Sequence, residues 1–402
     1  MTGSGPPDWR SWTCLAGTWA LSLFANAYLI VPASVLPRIM ETLDLGPETA
    51  IWIVSAAFGA WAATNFLLGF VIDRVGDVRV AAAGTAALLL AGVWGFRAGT
   101  AGDFGGLLAS RALGGVALAA IWTTGANLVG RAFPTESQGT ALGLFTASAP
   151  AGIAIGQSAG PLVGNAYGWP ANLLAFPLLA AAAFPVFLLA MGATSLAPRT
   201  ATDSLLDDLD TVLASPAVRF GCAMSFVGYS LFLFFNGWMP TYLTEEFAVP
   251  LSIGSLLVAL FPAVGIVSRS TGGLLSDRLL GRRRLPVIRL SFAVSLPIVA
   301  AIAVTNTVAL LVVLLVVAGF AIQLSIGVFY SYVRESVPAG VAGTALSFLG
   351  STAVAGAFTA PVVAGVLIDW TGAYLAAFAY AAALAALGVL LAWRASEPTT
   401  PA

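Results

Sequence analysis

The sequence states one theme twice, with the second statement 204 residues after the first. Gly69-Phe-Val-Ile-Asp73-Arg74 returns as Gly273-Leu-Leu-Ser-Asp277-Arg278, and Pro134-Thr-Glu-Ser-Gln-Gly139-Thr-Ala-Leu142 returns as Pro338-Ala-Gly-Val-Ala-Gly343-Thr-Ala-Leu346. Both echoes keep the same offset, 69 to 273 and 134 to 338. Around them the chain is 59% hydrophobic and 9% charged, against roughly 45 to 50% and about 25% in an average soluble domain. A soluble fold cannot hide that much apolar surface. A long-period repeat in such a chain marks a membrane protein of two like halves, with its working site where the halves meet.

The same composition narrows what the chain can do. Its 402 residues give room for about twelve bilayer-crossing helices of roughly 20 residues each and little beyond them. A net charge of -1 gives no reason to expect nucleic acid as a partner. All 17 basic residues are arginine and there is no histidine, so no side chain has an ordinary pKa near neutrality. Cys14 and Cys222 make neither a disulfide framework nor a ligand cluster, and both are expected as free thiols. Without His, clustered Cys or a facing pair of interior acids, the chain is not expected to be an enzyme or to hold a metal or other cofactor.

Apolar runs broken by charged or Pro/Gly-rich stretches place helices near residues 13–36, 50–72, 79–96, 105–130, 138–166 and 170–193. A second set lies near 218–240, 252–275, 286–305, 308–333, 342–368 and 373–394. The expected fold is therefore an all-α polytopic membrane protein: twelve transmembrane helices in two pseudo-symmetric six-helix bundles, residues 1–193 and 218–402, joined by a linker at 194–217. The first helix is too long, and too poorly supplied with a small-residue cleavage site, to be a removed signal peptide. If the N-terminus is cytoplasmic, inside loops and helix ends hold Arg10, Arg74, Arg79, Arg131, Arg199, Arg219, Arg278, Arg282, Arg283, Arg284, Arg289, Arg334 and Arg394. Only Arg38 and Arg97 fall outside, a bias that puts both termini in the cytoplasm of a cell carrying the protein in its plasma membrane. In the linker, Leu205, Leu206, Leu209, Val212 and Leu213 recur with helical spacing between Asp203, Asp207, Asp208 and Asp210, which reads as a short amphipathic helix.

The segment Gly69-x-x-x-Asp73-Arg74-x-Gly76 resembles the signature loop of the major facilitator superfamily, and so does its echo from Gly273 to Arg284. Asp77 stands where that family usually has a basic residue, and the second copy carries an extra residue before Gly281. The resemblance covers essentially the whole chain and implies the twelve-helix facilitator fold. It also implies a cytoplasmic latch favouring the outward-facing state, built here from Gly69, Asp73, Arg74, Gly273, Asp277 and Arg278. Physically, the glycines let neighbouring helices approach, and a carboxylate at a helix-loop junction can pair with an arginine in one arrangement of helices and release it in another. In the fourth helix, Leu107-x-x-x-Arg111-x-x-Gly114-Gly115 resembles the family segment that places an arginine inside the membrane. In the fifth, Gly152, Gly156, Gly160, Pro161 and Gly164 resemble the family's glycine-proline pattern of exchangers. Small residues every four positions give that helix a smooth packing face, and proline allows a bend.

Two charges are clearly interior. Arg111 lies about seven residues into the fourth helix, roughly 10 Å along it, and Arg269 lies eight residues before Asp277, roughly 12 Å from that end. Burying an arginine at such depth costs on the order of 2.5 to 3.5 kcal/mol even on a lenient scale, so each needs a partner or water. No interior Asp or Glu is at hand. Arg269, with Arg111, is therefore expected to bind a carboxylate or small inorganic anion between the halves. Subtracting 204 from Arg269 gives Asn65, which should face it across the seam. Tyr28, Tyr229 and Asn236 are the other expected lining residues, with Asn26, Gln323 and Tyr330 also polar or aromatic at mid-helix.

The expected function is secondary active transport of such an anion by rocker-switch alternating access, the protein acting as a monomer with the small-molecule substrate and the bilayer as partners. Without a titratable group deep in the membrane, exchange, facilitated diffusion or a proton carried on the substrate is favoured over a protein-borne proton. An antiporter that expels amphipathic drugs is the alternative, supported by the fifth-helix motif and an aromatic content of 11%. A channel, or a non-transporting receptor on the same fold, is the alternative of another class.

Overall fold

The computed structural model describes residues 8–193, 212–338 and 341–397, with the side chains of Phe66, Gly69, Phe70, Asp73, Thr135 to Thr140, Ala342 and Gly343 outside the description. Every regular element among these residues is helical, as a bilayer demands of a backbone that must satisfy its own polar groups. Twelve rods follow in chain order. α1 is Trp9–Ser34, continued past Val35 by Leu36–Leu43; α2 is Pro47–Val75, α3 Asp77–Ala101 and α4 Phe104–Ala132. α5 is Thr135–Thr146 with Ser148–Tyr167, and α6 is Ala171–Ala193. In the second half α7 is Pro216–Glu245, while α8 runs as Leu251–Ala263, Gly265–Leu274 and a π turn, Leu275–Leu279. α9 is Leu285–Val304, α10 Val308–Arg334, α11 Ala342–Thr371 and α12 Tyr374–Arg394. Ten of these are long and apolar enough to cross a membrane; α2 and α5, which hold most of the undescribed side chains, are the other two. The amphipathic segment expected within 194–217 lies mostly outside the described residues.

Local chemistry sets where the rods begin. Asp8, Asp103 and Ser215 cap α1, α4 and α7, each side chain accepting from the backbone N–H three residues on. Most rods extend a few residues past their apolar runs, because a capped polar turn continues the helix beyond the hydrocarbon. Large exposed side chains such as Leu67, Val186, Leu189, Leu256 and Val313 are apolar and sit on the rods, which is the surface a bilayer covers.

Packing repeats with the sequence. α3 packs on α4 and α6 as α9 packs on α10 and α12, and α1 meets α5 as α7 meets α11. The halves join through α2 against α11 and α5 against α8, two seams related by the same repeat. One contact shows the offset in both partners at once. A Cβ on Gly115 would strike the Ala57 carbonyl, and one on Gly319 would meet the Phe261 carbonyl at 2.6 Å, each residue shifted by 204. Only glycine permits that approach of backbones.

The extra residue of the second signature loop is absorbed by the π turn, where Leu280 N–H donates to Leu275 O at 3.1 Å. A π turn is how a helix takes in one residue without breaking. The loops then realign on a glycine, Gly76 at φ 92° and Gly281 at φ 59°, conformations that a side chain resists.

At the end of the molecule away from the termini, the halves close on each other. Gln157 Nε2 on α5 donates to the Asn236 carbonyl on α7 at 2.6 Å, and Ser255 Oγ on α8 donates to the Ser34 carbonyl on α1 at 3.0 Å. Trp52 on α2 meets Phe358 on α11 edge to face at 5.7 Å between centroids.

Candidate functional site

Arg111 is completely enclosed. Its Nε donates to Ile53 O at 2.9 Å, its Nη1 to Tyr28 O at 3.0 Å and its Nη2 to Leu29 O at 2.5 Å. The guanidinium carbon also lies 4.4 Å from the centre of the Tyr28 ring. Pro32 explains part of the arrangement: a proline four residues on leaves the Tyr28 carbonyl without its helical donor, and Arg111 supplies one. The guanidinium thus ties α4 to α1 and α2 of its own half. Nothing of it is left to face a solute.

Arg269 stands in a different setting. Its Nε is buried without a hydrogen-bond partner, and no carboxylate among the described residues lies within ion-pair distance of it. Phe232 of α7 packs under the guanidinium at 5.3 Å, and the hydroxyls of Tyr229 and Tyr330 are its electrostatic neighbours. Gly327 of α10 sits against the Arg269 backbone, where a Cβ would strike the carbonyl. Arg269, Tyr229 and Tyr330 all keep accessible surface although they lie mid-rod, Tyr330 as much as 38%. A cation with free donors, aromatic walls and accessible surface is a place where an anion gains a charge-assisted hydrogen bond.

In the first half the equivalent position, Asn65, accepts from Thr123 Oγ1 at 3.2 Å, and its amide nitrogen approaches Gly350 of α11 across the seam. Thr123 is itself the 204-residue counterpart of Gly327. One turn before Asn65, Trp61 meets Trp122 edge to face at 6.2 Å, and Trp122 leans on Phe145 at 5.1 Å. A separate cavity of about 360 Å³ between α7, α11 and α12 is apolar, lined by Cys222, Phe226, Thr352 and Leu387 among others, and holds neither arginine.

The charge clusters lie at the ends nearest the termini. Asp77, at the start of α3, pairs with Arg131 at the end of α4 at 2.6 Å. Across the repeat the signs are exchanged. Arg284, before α9, pairs with Glu335 after α10 at 2.6 Å and with Asp277 at 2.5 Å. The hydrogen bonds that the Arg284 guanidinium donates to the Glu335 and Asp277 carboxylates hold it above its ordinary range. Glu397 accepts from the backbone N–H groups of Arg284 and Leu285, so the residues after α12 cap α9.

A profile of the Major Facilitator Superfamily matches residues 18–355. The chain belongs to the Major Facilitator Superfamily. Among relatives, it is 24% identical over 386 residues to the hexuronate transporter of Bacillus subtilis (strain 168), covering 90% of this chain and 89% of that one. It is 31% identical over 169 residues to a probable sulfoacetate transporter of Cupriavidus necator, covering 40% of this chain and 39% of that one. A crystal structure of a bacterial homologue of the human lysosomal transporter Spinster, inward-facing and unoccupied, superposes with a TM-score of 0.72 at 17% identity, over 97% and 96% of the two chains. That likeness bears on the fold, the twelve-helix facilitator architecture.

Against this superfamily frame the expected site residues divide. Arg269, Tyr229 and Tyr330 come together, and Asn65 lies on the opposite half at the matching depth. Arg111 and Tyr28 do not join them: both are fully buried, the first bonded to carbonyls and the second packed beneath it. Asn236 is also fully buried, its Nδ2 donating to Phe232 O at 2.7 Å and its carbonyl receiving Gln157, so it belongs to the seam. Of the latch residues, the Gly69 and Asp73 side chains lie outside the described residues, and Arg74 and Arg278 point outward, exposed. The partner of Asp277 is Arg284. Gly152 and Gly156 of the exchanger-like motif press on the α1 backbone of the same half, and Gly160 on the Ser34 side chain, so this stripe fastens one bundle rather than joining two. Pro161 is buried inside α5. A Cβ on Gly164 would find Asn172 at 3.4 Å, ordinary contact. Gln157, Trp61 and Trp122 have no mark in the sequence that sets them apart, and neither does the pairing of Arg284 with Glu335. The offset could have found one pair, since Arg131 falls on Glu335.

Proposed function

We propose that this superfamily member is a secondary transporter that carries a small organic or inorganic anion by alternating access, with Arg269 as the anchor of the substrate. The observation that carries the proposal is the Arg269 guanidinium, deep in a rod and partly accessible, with a buried Nε that lacks a partner and, among the described residues, no carboxylate within ion-pair distance. Both named relatives are described as carriers of organic anions, a hexuronate and a sulfoacetate, which is the same chemistry. In this reading Asn65 and Thr123 approach the solute from the first half, and the closed end, sealed by Gln157 on Asn236 and Ser255 on Ser34, opens as the other end shuts. The same proposal takes the arginine bias to mean cytoplasmic termini, and takes the protein as a monomer in the plasma membrane. The aromatic walls also fit an efflux pump for amphipathic compounds, which would favour lipophilic cations or neutral drugs over anions. Counterflow in proteoliposomes tests the proposal. Arg269→Ala should abolish anion exchange and Arg269→Lys should weaken it at least about tenfold, since a lysine lacks the planar fork. Wild-type rate and affinity in either variant would remove Arg269 as the anchor.

A further inference from the structure

The groups around Arg269 are mostly rings, and this limits which anion suits them. Phe232, 2% exposed, stacks on Phe261 at 5.8 Å and holds one face of the guanidinium; it is closed to any ligand. Among the described residues around Arg269, the rings that retain accessible surface are Tyr229 and Tyr330. Polar groups that could meet hydroxyls are few there among the described residues: the two phenols, Asn65, Thr123, which already donates to Asn65, and Ser351 beside Gly350. A polyhydroxylated acid entering such a place would leave most of its hydroxyls unpaired, and a buried hydroxyl without a partner is costly. A flat ring would instead cover the exposed aromatic faces and leave its charged group to Arg269.

Resting on the anion reading above, we infer that the preferred substrate is a ring-bearing aromatic monoanion, a carboxylate or sulfonate, rather than a hydroxyl-rich sugar acid. The anionic oxygens meet the free donors of Arg269 while the ring lies against Tyr229 and Tyr330.

Calorimetric binding to the purified, detergent-solubilised protein tests this with five probes: benzenesulfonate, benzoate, methanesulfonate, glucuronate and tetraphenylphosphonium. Benzenesulfonate and benzoate should bind at least about tenfold more tightly than methanesulfonate and glucuronate. Tyr330→Leu should remove most of that advantage, whereas Tyr330→Phe, which keeps the ring, should retain it. Glucuronate binding as tightly as benzoate, or all anions binding alike, overturns the ring preference while the anchor at Arg269 stands. If no anion binds and tetraphenylphosphonium does, the anion reading itself is wrong. The wild-type comparison decides the matter even if a leucine variant fails to fold.

Discussion

A guanidinium carries five N–H donors and stays charged, so inside a bilayer each donor left without an acceptor or water is costly. Arg111 has three carbonyls on two neighbouring rods and an aromatic face beneath it, so its charge is a fastening. Replacing it should unsettle the fold: Arg111→Ala should destabilise the purified protein by on the order of 3 kcal/mol, as the carbonyls lose their donors. Arg111→Lys should recover only part, because an ammonium cannot span three acceptors as a fork does. A melting curve that stays put while anion affinity falls would return Arg111 to the binding site. Arg269 should behave in the opposite way. Its charge is held without a full set of partners, so Arg269→Leu should melt no lower than the wild type in the absence of substrate, while losing the stabilisation that substrate confers. The sequence made both arginines visible as interior charges but could not separate them. Depth follows from counting along a helix, whereas the satisfaction of a guanidinium depends on which carbonyls of other rods turn toward it.

At the scale of the elements, the signature loops perform the same task with opposite signs. In the first half the acid begins α3 and the arginine lies in the last turn of α4; in the second the arginine precedes α9 and the acid follows α10. Each pair joins the start of one rod to the end of the next on the side of the termini, so only the attraction matters. Asp77 looked like a departure from the family pattern because the residue that answers it, Arg131, is a whole helical hairpin away in sequence. Asp77→Arg and Arg131→Asp should each destabilise the protein, by on the order of 3 kcal/mol, and so lower its melting temperature, and the double exchange should regain much of the loss. Additive losses in that double-mutant cycle would show that the pair does not couple. The π turn invites a second comparison. Deleting Leu280 removes the extra residue and should leave a folded protein with a regular α8, while deleting Val75 at the matching place in α2 should not be tolerated. Expression and monodispersity of the two deletions check it.

For the molecule as a whole, the count and order of the rods were legible because lipid leaves the backbone one solution and the apolar runs mark it. The repeat proved deeper than its two motifs, extending to single contacts such as Gly115 on Ala57 and Gly319 on Phe261. The seam was less legible. Gln157 pairs with a backbone carbonyl of the other half, and no pattern in either segment announces such a partner. The placement of acids, by contrast, could be read from the sequence and bears on energetics. Every Asp and Glu whose side chain is described lies at or near a rod end or in a loop, and the mid-rod site offers arginine and tyrosine, whose ordinary pKa values are far above neutrality. Such a site cannot exchange a proton between about pH 6 and 8, so for a permanently charged anion the turnover should vary by less than about twofold across that range. The same reasoning forbids proton-driven accumulation of that anion. In proteoliposomes with the membrane potential clamped, an imposed pH gradient should leave benzenesulfonate at equal concentrations on the two sides, while benzoate, which can carry its own proton, should follow the gradient. Uphill benzenesulfonate uptake would mean that a carboxylate not yet placed, Asp73 foremost because its side chain is undescribed, takes part in the transport cycle.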